Sequence, residues 1–452
     1  MSDTDRQSAT DASQLQRARH SLERLQTLLT YMVNSLCSHQ SAEMMRSIAV
    51  LLLTLHLAAA AGTRVVTCPS GANCTAILQS AIDAGGDFTV AGCFTVLPIF
   101  LRSNSQTITF EAGSSVVAHP GAFHASDACL FTVHAAKDVT IVGNGARWTM
   151  QRRDYNNTAK YAHSEHRHAL SIMSSTTIAV RDVRIYETGG DGIYIALSSN
   201  VEIRNVTTDG AYRNGLSLIS ASNVLVTGSR FLRTAGTAPE AGIDIEPNHA
   251  KPGHRPEELV KIVFQNNEAR ENLGCGLSIS DSKLTAAGAL DIVVDGMAIE
   301  GAAGLHYTDA QLEFNIGILI GGVKQPNATR PGSILLNNVS ITNTAQPGLE
   351  VFGKLVNGAK TTVQNLRLDR VATASAVRWG GQNVPILLHQ SAPSVVGGIA
   401  VDTCEIVDTK ARPFLRCDSC DSRGSATNIS GNFVVRNPHG CTMSLGPSLS
   451  IT

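Results

Sequence analysis

A short pattern recurs five times in the middle of the chain, and its spacing constrains the fold more than any other feature. The copies are HALSI from His168, DGIYI from Asp191, NGLSL from Asn214, AGIDI from Ala241 and CGLSI from Cys275. Successive copies begin 23, 23, 27 and 34 residues apart. Periods of this size are typical of repeat architectures, in which each unit stacks on the one before it.

Each period contains short β-rich runs separated by Gly, Asn, Asp and Ser, and none contains a convincing amphipathic helix. This argues against leucine-rich or ankyrin solenoids and predicts an all-β fold, a right-handed parallel β-helix with one coil per period. A β-sandwich is the alternative, but it would match five copies in register only by accident. In register, the predicted inward residues are Ile193, Leu216, Ile243 and Leu277. The predicted outward column is Ser171, Tyr194, Ser217, Asp244 and Ser278.

The N-terminal part of the chain indicates export. Residues 48–61 read IAVLLLTLHLAAAA, shorter than the roughly 20 apolar residues that span a bilayer, and end in alanines, as secretory signals do. Either translation starts at Met44 or Met45, which we favour, or the segment is a signal-anchor with a cytosolic tail. We expect an untranslated or disordered extension at 1–43, a signal peptide at 44–62 and one β-helix domain at 63–452.

Cysteine usage agrees with a secreted, extracellular protein. Cysteines cluster near both ends of the predicted solenoid, where a coil lacks one neighbour, so we expect disulfide bonds there. Cys275 lies alone in a central coil and is predicted to be a buried thiol. The terminal cysteines are Cys68, Cys74, Cys93, Cys129, Cys404, Cys417, Cys420 and Cys441. Six glycosylation sequons begin at Asn73, Asn156, Asn205, Asn327, Asn338 and Asn428, and in a eukaryotic secretory pathway several would carry glycans.

The segment CTAILQSAIDAGG from Cys74 predicts a short helix that Gly85 and Gly86 end. Its predicted apolar stripe is Ile77, Leu78, Ala81 and Ile82. With the following FTVAGCFTVLP, it resembles the pectate-lyase-like β-helix superfamily, in which such a helix caps the N-terminal opening. GGDGIYI, RNGLSLIS and GTAPEAGIDIEPN resemble secreted β-helix proteins related to pectate lyases and polygalacturonases, over about residues 140–280. The resemblance implies a groove for an extended polysaccharide.

The segment AGIDIEPN is the predicted centre of chemistry. Ile243 and Ile245 alternate with Asp244 and Glu246, so both carboxylates should point away from the core. Their Cα atoms are roughly 6.6 Å apart in a strand. Polar insertions at 151–168 and 247–258 are predicted to form two walls of a groove beside this strand. A structural role, with Glu246 bonding corner amides, is the alternative.

Candidate site residues follow from this placement. The predicted catalytic residues are Asp244, Glu246, Asp191, Tyr194, Arg213 and His168. The predicted substrate-binding residues are Tyr155, His166, Arg167, Tyr212, Asn214, Asn248, His249 and Arg270. The cofactor is either none or Ca²⁺, which prefers oxygen ligands and would be held by Asp244 and Glu246.

Three functions are compatible with these residues. A lyase or epimerase acting on a uronate polysaccharide is slightly favoured, because Arg or a cation would neutralise the substrate carboxylate while a nearby base removes a proton. A glycoside hydrolase would use the paired carboxylates, and a non-catalytic glycan-binding surface protein is the third alternative. The chain lacks the paired Asp-Asp and Gly-His-Gly of polygalacturonases and the Asp-Pro-His-(Glu/Asp) strand of alginate epimerases, so neither catalytic set transfers.

The net charge of −1 suggests no nucleic-acid partner, and we expect a monomer that binds an extended polysaccharide and no membrane once the signal is removed.

Overall fold

The structure of the protein is a computed structural model. It describes residues 64–69, 71–248, 257–281, 283–284, 289–321, 332–352, 360–375, 377, 380–389, 396–418, 426–440 and 443–444. The segment Arg64–Thr452 is one compact unit. The predicted extension, the signal peptide and His249 lie outside the described residues, as does most of the insertion at 247–258.

Two short helices interrupt the β structure. Helix α1 (Thr75–Asp83) is the predicted cap, and its buried face consists of Leu78, Ala81 and Ile82. Ile77 is 41% exposed, so its predicted place in the buried stripe is wrong. Helix α2 (Arg152–Tyr155) lies in the long loop, residues 151–168, and was not predicted. Neither helix of the described residues has the length and apolar character that crossing a bilayer requires.

The strands of the described residues are 2 to 12 residues long, and they follow one another around successive coils. The first coils contain β1 (Arg64–Thr67), β2 (Phe88–Ala91), β3 (Cys93–Val96), β4 (Ile99–Leu101), β5 (Gln106–Phe110), β6 (Ser115–Ala118), β7 (Phe131–His134), β8 (Lys137–Val142) and β9 (Arg147–Thr149). The central coils contain β10 (His166–Arg167), β11 (Leu170–Met173), β12 (Thr176–Arg181), β13 (Arg184–Tyr186), β14 (Gly189–Gly190), β15 (Ile193–Arg204), β16 (Thr207–Asp209), β17 (Leu216–Thr227), β18 (Arg230–Leu232), β19 (Ile243–Ile245), β20 (Leu259–Arg270) and β21 (Leu277–Ser280). The last coils contain β22 (Leu290–Glu300), β23 (Ile318–Gly321), β24 (Gly332–Thr342), β25 (Leu349–Phe352), β26 (Lys360–Asp369), β27 (Ile386–His389), β28 (Val396–Val407), β29 (Leu415–Asp418), β30 (Ala426–Arg436) and β31 (Met443–Ser444).

Parallel pairing stacks these strands, apart from the separate antiparallel pair β10–β14, into three faces of one solenoid. One face, here called the site sheet, runs through β4, β7, β11, the starts of β15 and β17, and then β19, β21, β23, β25, β27, β29 and β31. The pairs Ser171–Tyr194, Tyr194–Ser217, Ser217–Asp244 and Asp244–Ser278 lie in register across it. The predicted outward column is therefore confirmed.

The inward positions of the same strands form the core. Ile193, Leu216, Ile243 and Leu277 pair in register and are fully buried, as predicted. Complete burial of such a side chain contributes about 1.5–3 kcal/mol, so each coil adds a similar increment of stability to the stack.

Cysteines match the prediction only in part. Cys68 and Cys74 form a disulfide bond beside the capping helix. Cys93, Cys129 and Cys404 are thiols, so the disulfides expected of them are wrong. Cys404 occupies an inward position between Leu366 and Phe433, where it serves as a small apolar core residue. Cys275 is a buried thiol, as predicted. Cys420 and Cys441 lie outside the described residues.

Candidate active site on the central coils

The site is built around one arginine in the corner before β17. The guanidinium of Arg213 contacts a carboxylate of the long loop, with Nε 3.2 Å from Oε2 of Glu165. Its terminal nitrogens lie 3.7 Å from Oδ2 of Asp191, 3.8 Å from Oδ2 of Asp244 and 3.4 Å from Oε2 of Glu246. Four carboxylates from the loop and successive coils thus converge on a single cation, and we call this group the Arg213 cluster.

The Arg213 cluster holds more negative than positive charge. Lys283 adds a second cation, with Nζ 2.8 Å from Oε1 of Glu246. Burial alone would lower the pKa of Arg213, but the surrounding carboxylates raise it overall. Two cations therefore face four carboxylates. Burying charge without full compensation costs stability. The excess of acidic groups is therefore not explained by the stability of the solenoid.

The two aspartates of the cluster lie beneath its surface. Asp191 is 0% exposed and Asp244 is 2% exposed. Both carboxyl groups are therefore covered from outside, although Asp244 occupies an outward position of its strand. Burial raises the pKa of Asp191 to about 7 and that of Asp244 to about 6, against the lowering effect of Arg213. Near neutral pH, Asp191 therefore binds a proton for much of the time.

Asn214 connects the two aspartates. Its backbone N–H donates to Oδ1 of Asp191 at 3.1 Å, and its side-chain amide donates to Oδ2 of Asp244 at 3.2 Å and to Oγ of Ser217 at 3.0 Å. The amide oxygen accepts from the backbone N–H of Ala241 at 2.9 Å. Asn214 is fully buried and its four hydrogen bonds position the two carboxyl groups, while its predicted contact with substrate stays a prediction.

His168 and Tyr194 form one wall of the cluster. The His168 ring stacks on the Tyr194 ring with centroids 4.6 Å apart. Its Nδ1 accepts from the backbone N–H of Asp191 at 3.0 Å, which leaves the ring proton on Nε2. Burial, followed by the charges of His166 and Arg213, lowers the pKa of His168 well below its ordinary value. Nδ1 of His168 lies 3.3 Å from Oδ2 of Asp191, but because the imidazole is neutral this contact is not an ion pair.

The six residues predicted to be catalytic thus lie together. Sequence reasoning missed Glu165 and Lys283 as site residues. Glu165 lies in the long loop, which the short antiparallel pair β10–β14 attaches to the next coil. Lys283 follows β21, outside any strand, so the alternation of strand residues gave no indication of its direction.

Arg167 does not serve the predicted substrate contact. It is 1% exposed, and its guanidinium donates to the backbone oxygens of Phe123 at 2.9 Å, His124 at 3.1 Å and Ala162 at 2.8 Å. Burial lowers its pKa. Arg167 therefore fixes the long loop to the preceding coil.

The other predicted binding residues are dispersed. Arg270 lies at the end of β20, on another face of the solenoid, and pairs with Glu268 and Glu300, so its predicted place at the site is wrong. His166 is exposed beside Glu165, with Nε2 3.8 Å from Oε1. Asn248 is exposed just after the acidic strand.

Tyr155 and Tyr212 line a separate cavity of about 180 Å³ next to the cluster. Its walls are Tyr155, Asn156, Thr158, His163, Ser164, Gly189, Tyr212 and Gly236, here called the tyrosine cavity. Both tyrosines were predicted as substrate contacts, and the structure places them at one concave site.

Calcium does not fit the cluster as it stands. The oxygens of Asp244 and Glu246 are directed at Arg213 and Lys283, which occupy the positions that a cation would need. Within the described ranges, no group of three or more His, Cys, Asp or Glu side chains is arranged to hold a metal ion.

Comparisons with known proteins agree with this architecture. Residues 137–289 match the family model described as right handed beta helix region. The fold is a right-handed parallel β-helix. Two structures of PfbA, a surface adhesin of Streptococcus pneumoniae, are similar to the chain at 14% identity. One has a TM-score of 0.55 and covers 83% of this chain and 91% of that chain, and the other has a TM-score of 0.53 and covers 83% and 97%.

A polygalacturonase from Erwinia carotovora ssp. carotovora is also similar, with 11% identity, a TM-score of 0.46 and coverage of 86% of this chain and 97% of that chain. No curated protein matches the sequence. Identities this low show the fold alone. The predicted resemblance to pectate-lyase-like β-helix proteins is thus confirmed at the level of fold, and function must be argued from the site.

Proposed function

We propose that this protein acts on a carbohydrate chain and hydrolyses a glycosidic bond at the Arg213 cluster. The observation that supports this best is the excess of carboxyl groups in one partly covered site, with pKa values spread by their surroundings. Glycoside hydrolysis needs one carboxylic acid that keeps its proton and one carboxylate that accepts one.

Asp244 and Glu246 are assigned these roles. Burial raises the pKa of Asp244 to about 6, so a useful fraction is protonated in mildly acidic solution. Because Asp244 is 2% exposed, substrate binding must open the cluster before this proton can pass to the leaving oxygen. The side chain of Glu246 is 28% exposed and lies between Arg213 and Lys283, where it can activate water as the base. Oδ2 of Asp244 and Oε2 of Glu246 contact the same nitrogen, Nη2 of Arg213, at 3.8 and 3.4 Å.

Lyase or epimerase chemistry is less well supported by the same contacts. Arg213 contacts four carboxylates and Lys283 contacts Glu246, so much of their charge is balanced within the cluster and less is left to neutralise a uronate. Burial raises the pKa of Tyr194, and Nδ1 of His168 already accepts a backbone N–H, so neither is a ready base. The negative excess also favours neutral sugar units at the cluster over acidic ones.

A non-catalytic glycan-binding protein is the second candidate. The observation in its favour is the near-complete burial of Asp191 and Asp244, which a purely positioning role would also explain. The similar structures with TM-scores above 0.5 are of a protein named as an adhesin.

The test uses the full chain and a panel of neutral and uronate-containing polysaccharides. We expect new reducing ends without the absorbance of unsaturated uronates. In Glu246→Gln, the rate should fall by about 10²–10⁴-fold with little change in melting temperature, because shape is kept and only the base is lost.

The matched control is Glu268→Gln, which removes an ion-paired glutamate from another face of the coils and should keep full activity. Absorbance at the unsaturated-uronate band would favour the lyase instead. Binding of a glycan with no product of either kind would establish the second candidate. A Glu246→Gln protein that loses stability and activity in parallel would show a structural residue.

A further inference from the structure

The tyrosine cavity is a concave feature that the cluster chemistry does not use. We propose that it binds a single neutral sugar unit, as a subsite beside the Arg213 cluster; this rests on the proposed function. The cavity of about 180 Å³ admits several water-sized groups, which is the least that one sugar ring requires.

The lining selects a neutral, hydroxyl-rich ring. Its side chains are aromatic, hydroxyl, amide or imidazole groups, and no Asp, Glu, Lys or Arg belongs to the walls formed by the described residues. Tyr155 is buried and presents a large apolar ring, while Tyr212 is half-buried and keeps its hydroxyl 3.5 Å from Nε2 of His163. An apolar face with polar groups at its edge matches the two kinds of surface on a sugar.

Two glycines allow the rings to lie where they do. A Cβ on Gly236 would overlap the Tyr212 ring, and Gly236 has φ of +151°, a conformation that favours glycine. A Cβ on Gly189 would overlap the Tyr155 ring. Each tyrosine therefore packs against a residue without a side chain, and the cavity depends on both glycines.

The cavity adjoins the cluster through consecutive residues. Tyr212 lines the cavity and Arg213 is the centre of the cluster, while Ser164 lines the cavity and Glu165 contacts Arg213. Because these pairs are adjacent along the chain, the cavity and the cluster are neighbouring sites. The cavity thus provides a position for the unit next to the bond that is cleaved.

Binding is measured by ligand-observed NMR and calorimetry on the full chain, made in a host without N-glycosylation because the sequon residue Asn156 lines the cavity. The probes are glucose, galactose and mannose, with glucuronate and galacturonate as acidic counterparts. We expect a neutral sugar to bind more tightly than its acidic counterpart. Gly236→Ala should weaken binding about tenfold, a loss of about 1.4 kcal/mol.

Gly113→Ala is the matched control, because Gly113 has φ of +83° and nothing within 4 Å of an added Cβ. It imposes similar backbone strain away from the cavity and should leave binding unchanged. Tyr212→Ala is a second variant that should also weaken binding, in case Gly236→Ala fails to fold. Failure of every neutral sugar to bind, or unchanged binding in both cavity variants, would overturn the subsite.

Glu246→Gln separates this inference from the proposed function. The variant should lose hydrolysis and still bind the monosaccharide, since Glu246 does not line the cavity. If the wild-type protein binds the sugar but cleaves no polysaccharide, the subsite stands and the hydrolase proposal fails.

Discussion

Replacing Arg213 with methionine should destabilise the protein in a strongly pH-dependent way. Methionine keeps the length and apolar volume of the side chain and removes the charge that faces Asp191 and Asp244. Both aspartates are almost fully buried, so no solvent replaces the lost partner. Breaking a buried ion pair on one side costs about 3–5 kcal/mol, and we expect a loss of this size at pH 7.5.

The sign of the pH dependence follows from the raised pKa values. In the folded state Asp191 and Asp244 have pKa values of about 7 and about 6, against about 4 for an unfolded aspartate. Folded protein therefore binds more protons than unfolded protein between about pH 4 and 7, and its stability falls as the pH rises through this window. Without Arg213 the ionised aspartates lose their compensation, so the loss should be largest at pH 7.5 and small at pH 4.5, where both are protonated.

Chemical and thermal unfolding of the full chain at pH 4.5, 6 and 7.5 measures this difference. Arg230→Met is the control, since Arg230 forms a half-exposed ion pair with Glu268 and should cost about 1 kcal/mol or less at every pH. An equal loss in Arg213→Met at pH 4.5 and 7.5, or no loss at either, would refute the account of the buried aspartates.

Three further predictions test other parts of the structure. Arg167→Met removes three donors to backbone oxygens and should increase proteolytic cleavage in the long loop, as limited proteolysis would show; uncleaved variant protein would contradict its anchoring role. Asp191→Asn should flatten the pH dependence of the free energy of unfolding between pH 4 and 7. An unchanged slope would show that other groups cause this dependence. Thiol titration should label the exposed Cys93 quickly, while Cys129 and Cys404 react only after unfolding; rapid labelling of either buried thiol would contradict the core described.

The strand register could be predicted because its physical rule is simple. Side chains alternate between two faces of a strand, so a single inward isoleucine such as Ile243 fixes the direction of Asp244. The repeat then aligns one coil with the next. For this reason the outward column is correct across all five motifs, and the inward stack across the four motifs for which it is predicted.

Other placements could not be predicted, because no period governs them. Arg167 and His168 are consecutive, yet Arg167 binds carbonyl oxygens of the preceding coil while His168 stacks at the site. Arg270 follows the acidic strand by one coil, but a coil has three faces, and β20 ends on a face other than the site sheet. Corner and loop side chains are positioned by the contacts they find, which a repeat pattern does not encode.

Burial of the acidic residues is the feature that the solenoid alone does not explain. A regular coil exposes its outward column to water, and Asp244 would then be an ordinary surface carboxylate. Here the long loop brings Glu165 over the column, and Arg213 closes the space between them. Burial raises the pKa values of both aspartates, and the long loop contributes Glu165 to the groups around them, so the chemistry of the site depends on the loop as well as on the strands.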